Sequence, residues 1–157
     1  MDLNYSLYLE RAENEIKLAE IIMSLSNDPG LQLNIFKIEN STTFFSAVIS
    51  HSYYSIFYTA KAYLLKKGVK TKPPSEHKKT YKEFKKFVEK GIIDQELLKI
   101  YEEVLVKADN LLGIFKVEKK KRGEFTYEKL PQANLEPARD SLENSKLFFK
   151  HIRKLCE

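Results

Sequence analysis

Residues 42–67 carry more apolar surface than a single helix face can use. Phe45, Ile49, Tyr53, Ile56, Ala60 and Leu64 form one stripe at 3-4 spacing, and Phe44, Val48 and Phe57 add apolar surface elsewhere around the same helix. A helix that is apolar on more than one side needs neighbours on more than one side. The segment therefore predicts the central helix of a bundle. Ser41 or Thr42 is the expected N-cap, and Gly68 stands where a helix stop places glycine.

Four more amphipathic segments surround it. The first covers about residues 3–25, with a stripe of Tyr5, Tyr8, Ala12, Ile16, Ala19 and Met23, and Asn27-Asp28-Pro29-Gly30 is expected to end it. Residues 31–40 alternate only in part and have no second strand to pair with, so they are expected to form an ordered loop. Pro73 and Pro74 keep the next linker out of a helix. Ser75 then caps a helix to Lys90 that turns Tyr81, Phe84 and Val88 inward. Asp94 caps another, with Leu97, Tyr101, Val104, Ala108, Leu111 and Phe115 inward, and its lysine-rich end is expected to reach Arg122. Pro137 opens the last helix, whose stripe is Ala138, Leu142, Ser145, Phe149, Ile152 and Cys156. The expected fold is all-α, a four- to five-helix up-and-down bundle in a single domain of 157 residues.

Composition narrows the setting. Cys156 is the single cysteine, so no internal disulfide forms; with no signal-like start and no long apolar run, the expected location is the cytoplasm, away from membranes. His51, His77 and His151 are far apart, with no HExxH or CxxC spacing, so neither a metal nor another cofactor is expected. The charge is uneven. Residues 66–90 hold ten lysines and three glutamates, and residues 116–122 hold five cations and one acid. Such clusters attract polyanions, although a lysine-rich face also serves solubility alone.

Two stretches carry a resemblance. Tyr53-Tyr54-x-x-Phe57-x-x-Ala60, followed by Ala62, Leu64-Leu65 and Gly68, resembles the signature helix of HEPN domains, specifically their small stand-alone archaeal and bacterial branch. Residues 72–77, ending in His77, the Arg122–Tyr127 segment, and the spacing of Ala138, Ser141, Lys146 and Phe149 extend the likeness over most of the chain. The resemblance implies a helical bundle that homodimerises and contacts RNA or nucleotides. It also implies a minimal nucleotidyltransferase as a possible partner in a toxin–antitoxin-like system. Many HEPN domains are metal-independent RNases that pair an arginine with a histidine four to six residues on. Arginine forks a phosphate, and histidine moves the ribose proton. Here Arg122 is followed by Tyr127 at that spacing, and a phenol is a poor base at neutral pH.

The candidate catalytic residues are therefore Arg122, Tyr127 and His51. The candidate nucleotide or RNA contacts are Arg122, Lys119, Lys120, Lys121, Tyr54 and His77. The leading expectation is a HEPN-like binding module. The alternatives are an RNase with a displaced histidine and a helical bundle serving only structure or protein interaction.

Overall fold

The computed structural model describes residues 3–112 and 135–157. Among them are six helices and no strand: α1 (Leu3–Ser26), α2 (Pro29–Asn34), α3 (Phe45–Lys66), α4 (Glu76–Glu89), α5 (Gln95–Leu112) and α6 (Leu135–Cys156). The all-α bundle expected from the apolar stripes is present. α3 is its axis and packs against α1, α4, α5 and α6. The stripe residues Ala12, Ile16 and Ala19 of α1 and Ala138, Leu142, Ile152 and Cys156 of α6 are buried against it or beside it.

The core is aromatic. Tyr53, Tyr63, Phe84, Tyr101 and Phe148 are its largest fully buried side chains. Phe84 of α4 sits between Tyr101 and Phe148, with ring centroids 5.5 and 5.4 Å away, and meets Tyr63 edge-on. Burying a ring of this size contributes roughly 1.5–3 kcal/mol, and the tilted pairings add to it. α4 is short and lysine-rich outside, so Phe84 is its main anchor.

The start of the central helix differs from the sequence expectation. α3 begins at Phe45, and neither Ser41 nor Thr42 caps it. The amide of Phe44 donates instead to Ser26 Oγ of α1, at 2.8 Å. Thr42 is already committed, because its amide donates to Gln32 Oε1 and its carbonyl accepts from Gln32 Nε2, both at 2.9 Å. Gln32 is buried and belongs to α2, where the sequence suggested a loop. Asp28 caps that short helix through the amide of Leu31, and Pro29 fills its first turn. The residues read as a stop for α1 are also the start signal for α2.

The other ends behave simply. Gly68 takes φ +80°, and Val69 N–H closes on the Leu64 carbonyl at 2.8 Å, which finishes α3 as expected. Ser75 stands at the N-cap of α4 but has φ 58° and makes no side-chain cap. Asp94 Oδ1 accepts the amide of Glu96 at the head of α5. The expected extension of α5 from Gly113 to Arg122 lies outside the described residues.

Candidate functional site

α1 and α3 lie side by side and run in opposite directions. Glu15 meets His51, Arg11 meets Tyr58, and Tyr8 meets Lys61. These positions follow helical spacing on both elements. His51, Tyr54, Tyr58, Lys61 and Leu65 share one face of α3, while Tyr8, Arg11 and Glu15 share one face of α1. One edge of the α1–α3 interface, the seam, is therefore lined by rings and charges, beside the buried aliphatic residues Ala12, Ile16 and Ala19.

His51 is half-buried, and its Nδ1 lies 2.5 Å from Glu15 Oε2. Tyr58 stacks on Tyr8 with centroids 6.1 Å apart, and the Arg11 guanidinium lies 4.4 Å over the Tyr58 ring. Burial raises the Tyr58 phenol above its ordinary range, against the pull of Arg11, so it stays protonated at neutral pH. Tyr54 stacks with Tyr58 at 6.4 Å and meets His77 edge-on at 6.1 Å.

His77 stands at the first turn of α4 and reaches back to α3. Its ring lies 4.0 Å from the Phe57 ring, and Tyr53 Oη is 2.8 Å from its Nδ1. Burial lowers the His77 pKa, and Lys61 works in the same direction while Glu76 opposes both. The imidazole is thus neutral at pH 7. Burial first, then the neighbouring phenols and Asp109, pushes the Tyr53 phenol far upward, so Tyr53 is a neutral partner that never gives up its proton.

Beyond this cluster α1, the end of α3 and the 69–76 linker enclose a pocket of about 520 Å³. Leu7, Leu65, Val69 and Pro73 give it an apolar side, and Arg11, Lys61, Lys70 and Lys72 a cationic one. Lys61 is buried, pairs with Glu76 and donates to the Thr71 carbonyl at 3.3 Å. Thr71 is also buried and bonds Thr80 through its hydroxyl at 2.7 Å. The linker is held from both sides, while Lys70 and Lys72 on either side of Thr71 stay exposed.

Of the residues singled out from the sequence, His51, Tyr54 and His77 lie on or beside the α1–α3 seam. Among the described residues no hydrogen bond or ring contact joins His51 to His77. Arg122, Tyr127, Lys119, Lys120 and Lys121 lie outside the described residues. Sequence reasoning missed Lys61, Arg11 and Tyr8. The available signal was a lysine on the same face of an aromatic helix as His51 and Tyr58. It also missed Asp109, a carboxylate buried in α5 where the predicted core stripes held none. Among the described residues no three metal-ligating side chains come together. Burial raises the Cys156 thiol, in keeping with a packing role.

No described helix is long and apolar enough to cross a membrane. No curated protein and no solved structure matches the chain. A family model does: the one described as HEPN domain matches residues 32–155.

Proposed function

The chain belongs to the HEPN domain family, and from that premise we propose that it is a binding module for RNA or nucleotides. The observation that supports the reading most is the α1–α3 seam. Rings and cations alternate along it, from Tyr54 and Tyr58 to Arg11 and Lys61. Phosphates favour cations, and bases favour aromatic faces. The lysine-rich sequence of residues 66–90 and Lys119–Arg122 extend the same electrostatics. In this reading Arg122 is the anion anchor and Tyr127 a neutral hydrogen-bonding neighbour.

The module works as a homodimer, and a minimal nucleotidyltransferase is its proposed protein partner in a toxin–antitoxin-like pair. The apolar surface available for association is not on α3, whose large aliphatic side chains are buried. It is on Leu18 and Ile21 of α1, on Leu147 and Leu155 of α6, and at Leu33, Ile35 and Phe36.

A second reading is a metal-independent RNase with a displaced base, and one observation favours it. His77 is neutral at pH 7 and its Nδ1 is engaged by Tyr53, which fixes the ring. In the tautomer whose Nδ1–H donates to the Tyr53 oxygen, Nε2 keeps the lone pair that a general base needs. His51, held by Glu15, is the less direct candidate.

One experiment separates the two. Single-stranded RNA is titrated with wild type and with Lys119→Gln/Lys120→Gln/Lys121→Gln, and cleavage is followed in EDTA. The binder reading expects affinity that falls steeply with salt and weakens in the triple variant for all sequences alike. It expects Arg122→Ala to abolish binding and wild-type cleavage to be absent or slow. Rapid cleavage in EDTA that His77→Ala or His51→Ala reduces about 10²–10⁴-fold establishes the nuclease instead.

A further inference from the structure

We propose that the pocket between α1, the end of α3 and the 69–76 linker is a site for a nucleotide bearing a phosphate monoester. The pocket is amphiphilic, and its two halves match the two halves of that ligand. Leu7, Leu65, Val69 and Pro73 offer an apolar wall of the kind that accepts a base and the carbon face of a ribose. Arg11, Lys61, Lys70 and Lys72 face them, with Glu76 as the one acid on the lining.

The charge balance sets the ligand class. Glu76 is taken up by Lys61. Among the described residues no carboxylate pairs with Arg11, Lys70 or Lys72, although the chain is rich in acids. Three unpaired cations around one pocket repel one another until an anion enters. A single carboxylate answers only one of them, whereas a phosphate monoester carries up to two charges and three acceptor oxygens. Arg11 is prepared for this role. Its guanidinium rests on the Tyr58 ring, which supports the flat face and leaves the in-plane N–H groups free to fork a phosphate. The buried Lys61 acts as a positioning residue, since its bonds to Glu76 and the Thr71 carbonyl fix the linker from which Lys70 and Lys72 project. The volume of about 520 Å³ lies within the range of small-molecule sites.

Leu7, Tyr8 and Arg11 belong to α1, ahead of residue 32 where the family match begins, so part of the site lies outside the matched residues. Choosing a nucleotide over another phosphate monoester rests on the RNA and nucleotide reading above. The ligand can come from two sources, a free mononucleotide or the phosphorylated end of an RNA strand.

The test is calorimetric titration of the full chain with the four ribonucleoside 5′-monophosphates, with the matching nucleosides and with inorganic phosphate. At least one monophosphate is expected to bind about tenfold or more tightly than its nucleoside and than inorganic phosphate. Lys70→Ala/Lys72→Ala, at exposed positions that leave the core intact, should weaken it at least about tenfold. Val69→Phe, which fills the apolar side without changing charge, should weaken it too. The charge-matched control Lys150→Ala/Lys154→Ala on α6 should leave it unchanged. Competition by a 5′-phosphorylated oligoribonucleotide but not by its 5′-hydroxyl form identifies a strand end as the ligand. Competition by neither identifies the free nucleotide. The proposal is overturned by no monophosphate binding at millimolar concentration, by inorganic phosphate binding as tightly, or by indifference to Lys70→Ala/Lys72→Ala. If RNA still binds through Lys119–Arg122 in any of those cases, the module reading stands and only the pocket is lost.

Discussion

Tyr53 and Tyr54 are neighbours on α3, yet they belong to different chemical surroundings. Tyr53 and Tyr63 turn into the core, where Phe84, Tyr101 and Phe148 meet them or one another through ring edges and faces. Tyr54 and Tyr58 turn to the α1 seam, where their neighbours are a histidine, an arginine and another half-exposed tyrosine. On the core side shape decides most plainly at Tyr101, whereas the Tyr53 hydroxyl still meets His77 Nδ1. Tyr101 Oη is fully buried with no hydrogen-bond partner among the described residues. On the seam side partner chemistry decides: Glu15 meets His51, and Arg11 and Lys61 meet the faces of Tyr58 and Tyr8 across the helix boundary. The same helix thus separates a region built for stability from one whose groups remain available to solutes.

The contrast is sharpest at Tyr101. Truncation to Ala removes a fully buried ring and should cost about 3–5 kcal/mol in urea unfolding. Tyr101→Phe should be neutral or slightly stabilising, because it removes a buried hydroxyl that lacks a partner. A large loss in Tyr101→Phe would break the distinction between the two sides.

A smaller effect is expected on the seam side. Lys61→Met leaves the linker without its bonds to Glu76 and the Thr71 carbonyl. Lys61 is buried but Glu76 reaches water, so the cost should be about 2 kcal/mol rather than that of a fully enclosed pair. It should appear as earlier proteolysis or faster amide exchange across residues 69–76, with the Phe84 neighbourhood still protected.

The smallest effect is a pH dependence. Burial lowers the His77 pKa in the folded chain, so the unfolded chain takes up its proton first. The stability contributed by neutral His77 is complete above the unfolded value of about 6.5 and is lost as pH falls below it. His77→Gln keeps a hydrogen-bonding partner for Tyr53 but does not titrate. The urea midpoint of wild type should therefore fall more steeply than that of the variant between pH 7 and pH 5. Parallel profiles would show that His77 is as solvated as an ordinary histidine.

Much of the bundle was legible because its stripes are strong. The α6 residues from Ala138 to Cys156 are buried as their spacing predicts, and Phe84 anchors α4 as expected. The errors fall where a local signal had a non-local competitor. Thr42 is a good N-cap by type, but Gln32 claims its backbone and Ser26 caps α3 from another helix. Ser75 occupies a cap position in a left-handed conformation that its residue type does not announce. The pocket was not legible for a related reason. Its cations are spread over positions 11, 61, 70 and 72, and only the antiparallel placement of α1 against α3 collects them.

That placement has a geometric consequence. Tyr5 with Lys66, Tyr8 with Lys61, Arg11 with Tyr58 and Glu15 with His51 are rungs of one ladder, about a turn apart along α1. A slip of α1 by a single turn, about 5.4 Å, would mismatch all four at once. The ladder is a ruler cut into the two helices, and the Ser26 and Gln32 bonds to Phe44 and Thr42 hold its far end. Lengthening the exposed stretch at residues 39–40, which leaves the Gln32 bonds to Ile38 and Thr42 in place, should cost little, since doubling a loop adds only about 0.6 kcal/mol. Moving one tick of the ruler, by a residue inserted within α1 between Arg11 and Glu15, would reset the mouth of the pocket.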